Sequence, residues 1–264
     1  MTDLADAAQG QMTLVEHLAE LRGRLIKSFV AIAIGAVICW IAYNQILDFL
    51  LEPYCRTLPP EQRDAAGVFG SGCKLFVRDP LEPFSVRLTV AGYGGLALAM
   101  PVVLWQAWRF VAPGLYRHEK RYAIPFVLSG VLLFFLGAGL AYWSVPRALS
   151  FLANIGGEEL IALFSPQAYL GFIIKMMVAF GIGFEFPIAL IALQIVGMLD
   201  NRTLRRVRSY AIVGIVVLVA VITPSGDPFT LMVLSVPMYL FYEISILYGI
   251  IHDRRRRKRE TATG

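Results

Sequence analysis

Residues that carry chemistry are scarce in this chain. It holds three cysteines and three histidines in 264 positions, and charged residues make up 16%. So few soft ligands do not suffice for a Cys/His zinc centre, and no two histidines stand at zinc-site spacing. The run Glu16-His17-Leu18-Ala19-Glu20 lacks the HExxH order. There is no GxxxxGK[ST] loop to cradle nucleotide phosphates and no GxSxG nucleophile elbow. A metalloenzyme, a P-loop ATPase and an intramembrane hydrolase are thus disfavoured, and neither a catalytic residue nor a cofactor is expected. No cleavable leader is expected either, since Asp3 and Asp6 stand where a basic region would lie. The first apolar run is the expected insertion signal.

What the chain has in abundance is apolar length. Hydrophobic residues make up 57% and the mean hydropathy is +0.64, which places it among polytopic membrane proteins. Runs that match the ~20 residues needed to cross a ~30 Å hydrocarbon core predict an all-α protein. It forms one integral membrane domain over 1–264, with spans near 25–43, 84–108, 123–145, 167–199, 209–223 and 229–251. Residues 1–24 form a cytoplasmic amphipathic segment and 252–264 a basic tail. The fifth and sixth spans are expected to be short, joined by the tight turn Pro224 to Pro228. The fifth is the weakest: its apolar centre, Ala211 to Ile222, reaches only ~18 Å as a helix, so a re-entrant element competes with a true span.

Charge arranges these spans. Segments 1–27, 109–121, 200–208 and 252–264 hold 17 of the 24 Lys/Arg, whereas 44–83, 146–166 and 224–228 hold five. The positive-inside rule then puts both termini in the cytoplasm, and counting the fifth run as a span is what keeps the arginine-rich tail there. Arg254 to Arg259 directly abut a span, so they read as a stop-transfer and lipid-headgroup anchor and not as a nucleic-acid patch. Cys55 and Cys73 share the large external loop and are candidates for a disulfide in an oxidising envelope compartment.

Some polar residues interrupt the pattern. Thr13 and Glu16 form a capping box, and Leu14, Leu18, Leu21 and Leu25 recur at helical spacing, with Glu20 and Arg24 placed for an i,i+4 ion pair. Glu119 lies in a basic loop, where a plain salt bridge to Arg117, Lys120 or Arg121 is the local alternative to a binding role. Phe110 suits an interfacial aromatic anchor. Glu185 is deep in the fourth run, two residues before Pro187, and an acid at that depth is functional by default unless Lys175 or Arg87 pairs with it. Ala91, Gly95 and Ala99 at four-residue spacing, beside Gly92 and Gly94, point to close helix packing.

Leu14-Val15-Glu16-His17-Leu18-Ala19-Glu20-Leu21-Arg22-Gly23-Arg24-Leu25 resembles the start of the TatC family, the multispanning receptor subunits of the twin-arginine protein translocase. Phe110 to Arg121, Phe184-Glu185-Phe186-Pro187, and Pro237-Met238-Tyr239 with Glu243 continue the resemblance in order. It implies a concave receptor-like bundle in the bacterial cytoplasmic membrane. At its cytoplasmic face it would bind signal peptides with paired arginines through Glu20 and Glu119, assisted by Arg22 and Phe110. Two planar guanidiniums need paired carboxylates, which lysine would use poorly.

The resemblance also implies assembly with single-span TatA- and TatB-type partners, through Glu185 and Glu243, homo-oligomerisation within the complex, contact with membrane lipid, and export driven by the proton gradient. Pro53 and Asp227 stand near positions the family treats as important, although Pro224-Ser225-Gly226-Asp227 departs from the Pro-Pro-Asp form of some members. A proton-coupled secondary transporter using Glu185 is the competing reading.

Overall fold

The computed structural model describes residues 14–57, 75, 77–111, 123–155, 165–195, 197–223 and 226–263, and among them the regular structure is helical. The helices are α1 (Leu14–Ile41), α2 (Tyr43–Thr57), α3 (Glu82–Val111), α4 (Ala123–Asn154), α5 (Pro166–Phe184), α6 (Phe186–Ile195), α7 (Asn201–Arg206), α8 (Arg208–Ile222) and α9 (Pro228–Thr263). Among the described residues, five segments are long and apolar enough to cross a membrane: Leu18–Ile41, Glu82–Phe110, Ile124–Asn154, Pro166–Ile195 and Pro228–Ile251. Their outward faces carry Phe29, Ile34, Leu88, Leu132 and Leu240, all exposed, as lipid contact requires.

Two contacts between helices are made by missing side chains. A Cβ on Gly35 of α1 would sit 2.7 Å from the Gly95 carbonyl oxygen of α3, and one on Gly95 would sit 2.5 Å from the Ala36 nitrogen. Backbone therefore meets backbone, with Ala91 and Ala99 buried a turn to either side. This is the small-residue packing that stands in for a hydrophobic driving force inside lipid. Between α4 and α5 the arrangement is reciprocal: Phe134 fills the space over Gly181, while Gly137 receives the backbone of Phe180. Gly92, by contrast, meets nothing within 4 Å and is exposed.

Several elements differ from the sequence-based expectation. The amphipathic segment is not a separate helix; it continues into the first span as one 28-residue helix. The segment after that span, expected to be a loop, holds α2, whose Leu50 and Pro53 are buried. Tyr169 donates to the Leu50 carbonyl at 2.7 Å and Tyr142 to the Phe49 carbonyl at 2.9 Å, so α2 is laid across the ends of α4 and α5. The fourth run is broken at Glu185 into α5 and α6. Pro187 has no N–H to return to the Gly183 carbonyl, and the Glu185 N–H instead reaches Ile182 at 3.0 Å. The last helix is not short, for α9 has 36 residues, 24 of them in the apolar span, and it runs on through most of the basic tail. The fifth apolar element, α8, is short as expected: 15 residues, ~22 Å at 1.5 Å per residue.

Polar pairs gather at the two ends of the bundle. Arg24 with Gln106, Tyr242 with Leu204 and Arg208 with Glu243 lie at one end. Gln167 with Glu82, Tyr142 with Glu52 and Thr230 with Asp227 lie at the other.

Candidate functional site

The first end is built on the start of α1. Arg24 forms the i,i+4 ion pair with Glu20 that the spacing predicts, and its other terminal nitrogen donates to the Gln106 carbonyl of α3 at 3.3 Å. One guanidinium thus fixes the carboxylate against the neighbouring span. The pairing is incomplete: Glu20 Oε2 and Arg24 Nε are buried without a hydrogen-bond partner among the described residues. An ionised carboxylate with one oxygen in use retains acceptor capacity for a second cation. Arg22 points outward and is exposed, and Phe110 is half-buried in the last turn of α3. Glu119 lies outside the described residues, as do Thr13 and Cys73.

A second carboxylate stands at the break between α5 and α6. Glu185 faces Gly130 of α4: a Cβ there would lie 3.0 Å from Glu185 Oε2 and 2.8 Å from Leu104 of α3. Glu185 Oε1 is buried with no hydrogen-bond partner among the described residues. Neither cation proposed as its internal partner reaches it. Arg87 donates to the Trp40 carbonyl at 3.1 Å and covers the rings of Trp40 and Tyr43, and Lys175 is exposed. Glu185 is an acid held in an apolar notch by a helix break and a glycine, without a counter-charge among the described residues.

Glu243 is engaged differently. Arg208 of α8 donates to its carboxylate and to Tyr239, which ties α9 to the start of the short helix. Asp227 is fully buried and caps α9, accepting from the Thr230 N–H at 2.7 Å and from the Thr230 hydroxyl. Its role in the turn is therefore structural, a function that a single N-cap aspartate performs without the second proline. Cys55 is disulfide-bonded and Cys39 is free and buried.

Comparison with known proteins decides what these sites belong to. The family model for the Sec-independent protein translocase protein TatC matches residues 16–237. The TatC protein of Aquifex aeolicus (strain VF5) is 39% identical over 254 residues, covering 95% of this chain and 100% of the relative.

The chain belongs to the TatC family.

It is a membrane-embedded component of the Sec-independent protein translocase, and its role is transport. The TatC protein of Escherichia coli (strain K12) is 33% identical over 249 residues, which cover 94% of this chain and 92% of that one. A crystal structure of a twin arginine translocase receptor TatC superposes with a TM-score of 0.72 at 38% identity, covering 89% of this chain and 99% of the other. A second, determined in DDM, gives 0.73 at 40% with the same coverage. The TatC match takes in Glu20, Phe110, Glu119 and Glu185 and ends before Glu243.

Sequence reasoning missed the ties at the other end of the bundle. Glu82, 4% exposed, accepts from the Arg78 N–H and the Gln167 N–H, each at 2.9 Å, which closes α3 onto α5. Its signal was the acid immediately before Pro83, a helix start of the acid-then-proline kind. Glu52, on α2, has its carboxyl held below the usual range by its hydrogen bonds to Arg56 and Tyr142. Tyr142, the one tyrosine inside the apolar run 123–145, was the legible half of that contact.

Proposed function

We propose that this chain is the signal-peptide receptor of a twin-arginine translocase, recognising the paired arginines of folded precursors at its cytoplasmic face. The observation that carries this reading is the half-used carboxylate of Glu20: one oxygen is taken by Arg24 and the other has no partner among the described residues, at the rim where α1 meets α3. One arginine of the signal is received by Glu20 and the next by Glu119, with Phe110 packing against the signal and Arg22 orienting the acids. Planar guanidiniums bond carboxylates bidentately, so a twin-lysine signal would lose most of the interaction.

Six spans with both termini in the cytoplasm go with this reading. The two sets of polar pairs at opposite ends of the bundle and the basic excess on the α1 and α9 ends support that orientation. Glu185 is the polar contact for single-span TatA- and TatB-type partners, with Glu243 closing the same face, Pro53 bracing the external end, and several copies sharing one complex. Cys55 pairs with Cys73. The chain is not an enzyme, and the proton gradient supplies the work.

The test is binding of a labelled twin-arginine peptide to the protein in nanodiscs, beside its twin-lysine form and against Glu20→Ala and Glu119→Ala. Losses of about tenfold or more are expected for either single change, on the scale of a charged hydrogen bond worth roughly 1.5–3 kcal/mol. Equal binding by all combinations would make the rim acids structural and turn attention to proton-coupled transport through Glu185.

A further inference from the structure

Between α7, α8 and α9 lies an open pocket of about 530 Å³, lined by Arg205, Arg208, Glu243, Ile246, Leu247 and Ile250. Positions 243, 246, 247 and 250 share one stripe of α9, so a single carboxylate is followed by an apolar turn. Two guanidiniums stand opposite. Arg208 is engaged by Glu243 and Tyr239, whereas Arg205 is exposed and makes no ion pair among the described residues. Its described lining residues thus carry two cations against one anion, beside an apolar wall. A guest that satisfies both needs an anionic, oxygen-rich head and an apolar body.

Its depth narrows the choice. Glu243 precedes the end of the last apolar span, Ile251, by eight residues, which is ~12 Å along a helix. Counted along α9, the pocket therefore opens at acyl depth; counted along the short α8, it opens at the first residue, Arg208. Headgroups that follow the start of α8 inward come level with the pocket. Leu247 is 56% exposed and lies on the same outward face as Leu240 and Ile244, so the mouth opens towards lipid. Arg202, Arg205, Arg206 and Arg208 crowd the adjoining seven residues, and basic clusters beside a span concentrate anionic headgroups.

We propose that this pocket holds the phosphate headgroup of one anionic phospholipid, with Arg205 as its principal anchor and the apolar turn of α9 against the glycerol and first acyl carbons. Phosphate oxygens accept from Arg205 and share Arg208 with Glu243. The lining residues do not include Glu20, and the site stands whether or not the receptor reading holds.

The test uses the full-length protein in phosphatidylcholine nanodiscs containing trace spin-labelled phosphatidylglycerol, beside the same label on phosphatidylcholine. A motionally restricted component selective for phosphatidylglycerol is expected. Arg205→Ala lowers that selectivity about fivefold, the size expected for one basic residue near a membrane surface, and Arg205→Lys retains part of it. Glu243→Gln, which removes the competing anion, raises it, so two variants move in opposite directions. Unchanged elution and melting of the Arg205 variants, which alter an exposed side chain, separate this from misfolding. Equal restriction of both labels, or indifference to Arg205→Ala, overturns the proposal. Displacement by inorganic phosphate alone would assign the site to free phosphate, and competition by a single-span partner without lipid-charge dependence would assign it to a protein carboxylate. Either result also overturns it.

Discussion

Glu185 and Asp227 are both acids in a membrane protein, yet their surroundings assign them opposite parts. Asp227 uses its carboxylate fully, on the backbone and hydroxyl of Thr230. Asp227→Ala should therefore lower stability by about 1–2 kcal/mol, the cost of a lost N-cap, while Asp227→Asn, which keeps an acceptor, should lose less. Thermal unfolding in detergent reads both. Glu185 leaves a buried oxygen unpaired among the described residues and faces Gly130 and Leu104. Replacing an unsatisfied buried polar group by an apolar one of similar shape is neutral or stabilising. Glu185→Leu should then melt no lower than the parent while losing co-purification of single-span partners. A drop in melting temperature would mean that the acid holds the bundle together.

Elements were legible where pattern and chemistry agreed. The Ala91, Gly95, Ala99 spacing announced a close contact, and the structure places Gly95 against the α1 backbone between Ile32 and Ala36. Apolar length marked out the long spans, because lipid leaves a backbone no option but a helix. The ion pair of Glu20 with Arg24 followed from i,i+4 spacing alone. Three things were not legible. The helix break at Glu185 needed knowledge of which carbonyl Pro187 would orphan and whether packing would tolerate it. The α2 helix is held by Tyr142 and Tyr169, contacts about 90 and 119 residues distant in sequence that no local window contains. The length of α9 beyond Ile251 depended on a charged stretch that was read as a tail.

The glycine contact makes its own forecast at this scale. Gly95→Val should destabilise the α1–α3 pair by at least about 1–3 kcal/mol, the range for overpacking, since the neighbour it would strike is backbone and has no rotamer to change. Gly92→Ala, one turn away with nothing near it, should leave melting unchanged or slightly raised. Comparable losses for both substitutions would count against backbone-to-backbone packing.

Across the whole molecule the open question of topology turns on α8. At ~22 Å it is ~8 Å short of a ~30 Å hydrocarbon core, a mismatch the bilayer meets by thinning at a modest cost per ångström. A re-entrant path would avoid that cost, but it would leave α9 to carry six Lys/Arg of the tail to the external side, against the positive-inside rule. The charge term outweighs the mismatch term, which is why the proposed six-span arrangement has α8 cross. Cysteines introduced one at a time at Arg202 and Pro228, both exposed and flanking α8, separate the alternatives in intact cells carrying Cys39→Ser, with Cys55 held in its disulfide and the Cys39→Ser parent as the labelling blank. A membrane-impermeant maleimide should label Pro228→Cys from outside and reach Arg202→Cys only after the inner membrane is opened. If both label from one side, α8 turns back within the bilayer, the pocket at Arg205 and Arg208 loses its place at the cytoplasmic headgroups, and the lipid-binding proposal falls with it.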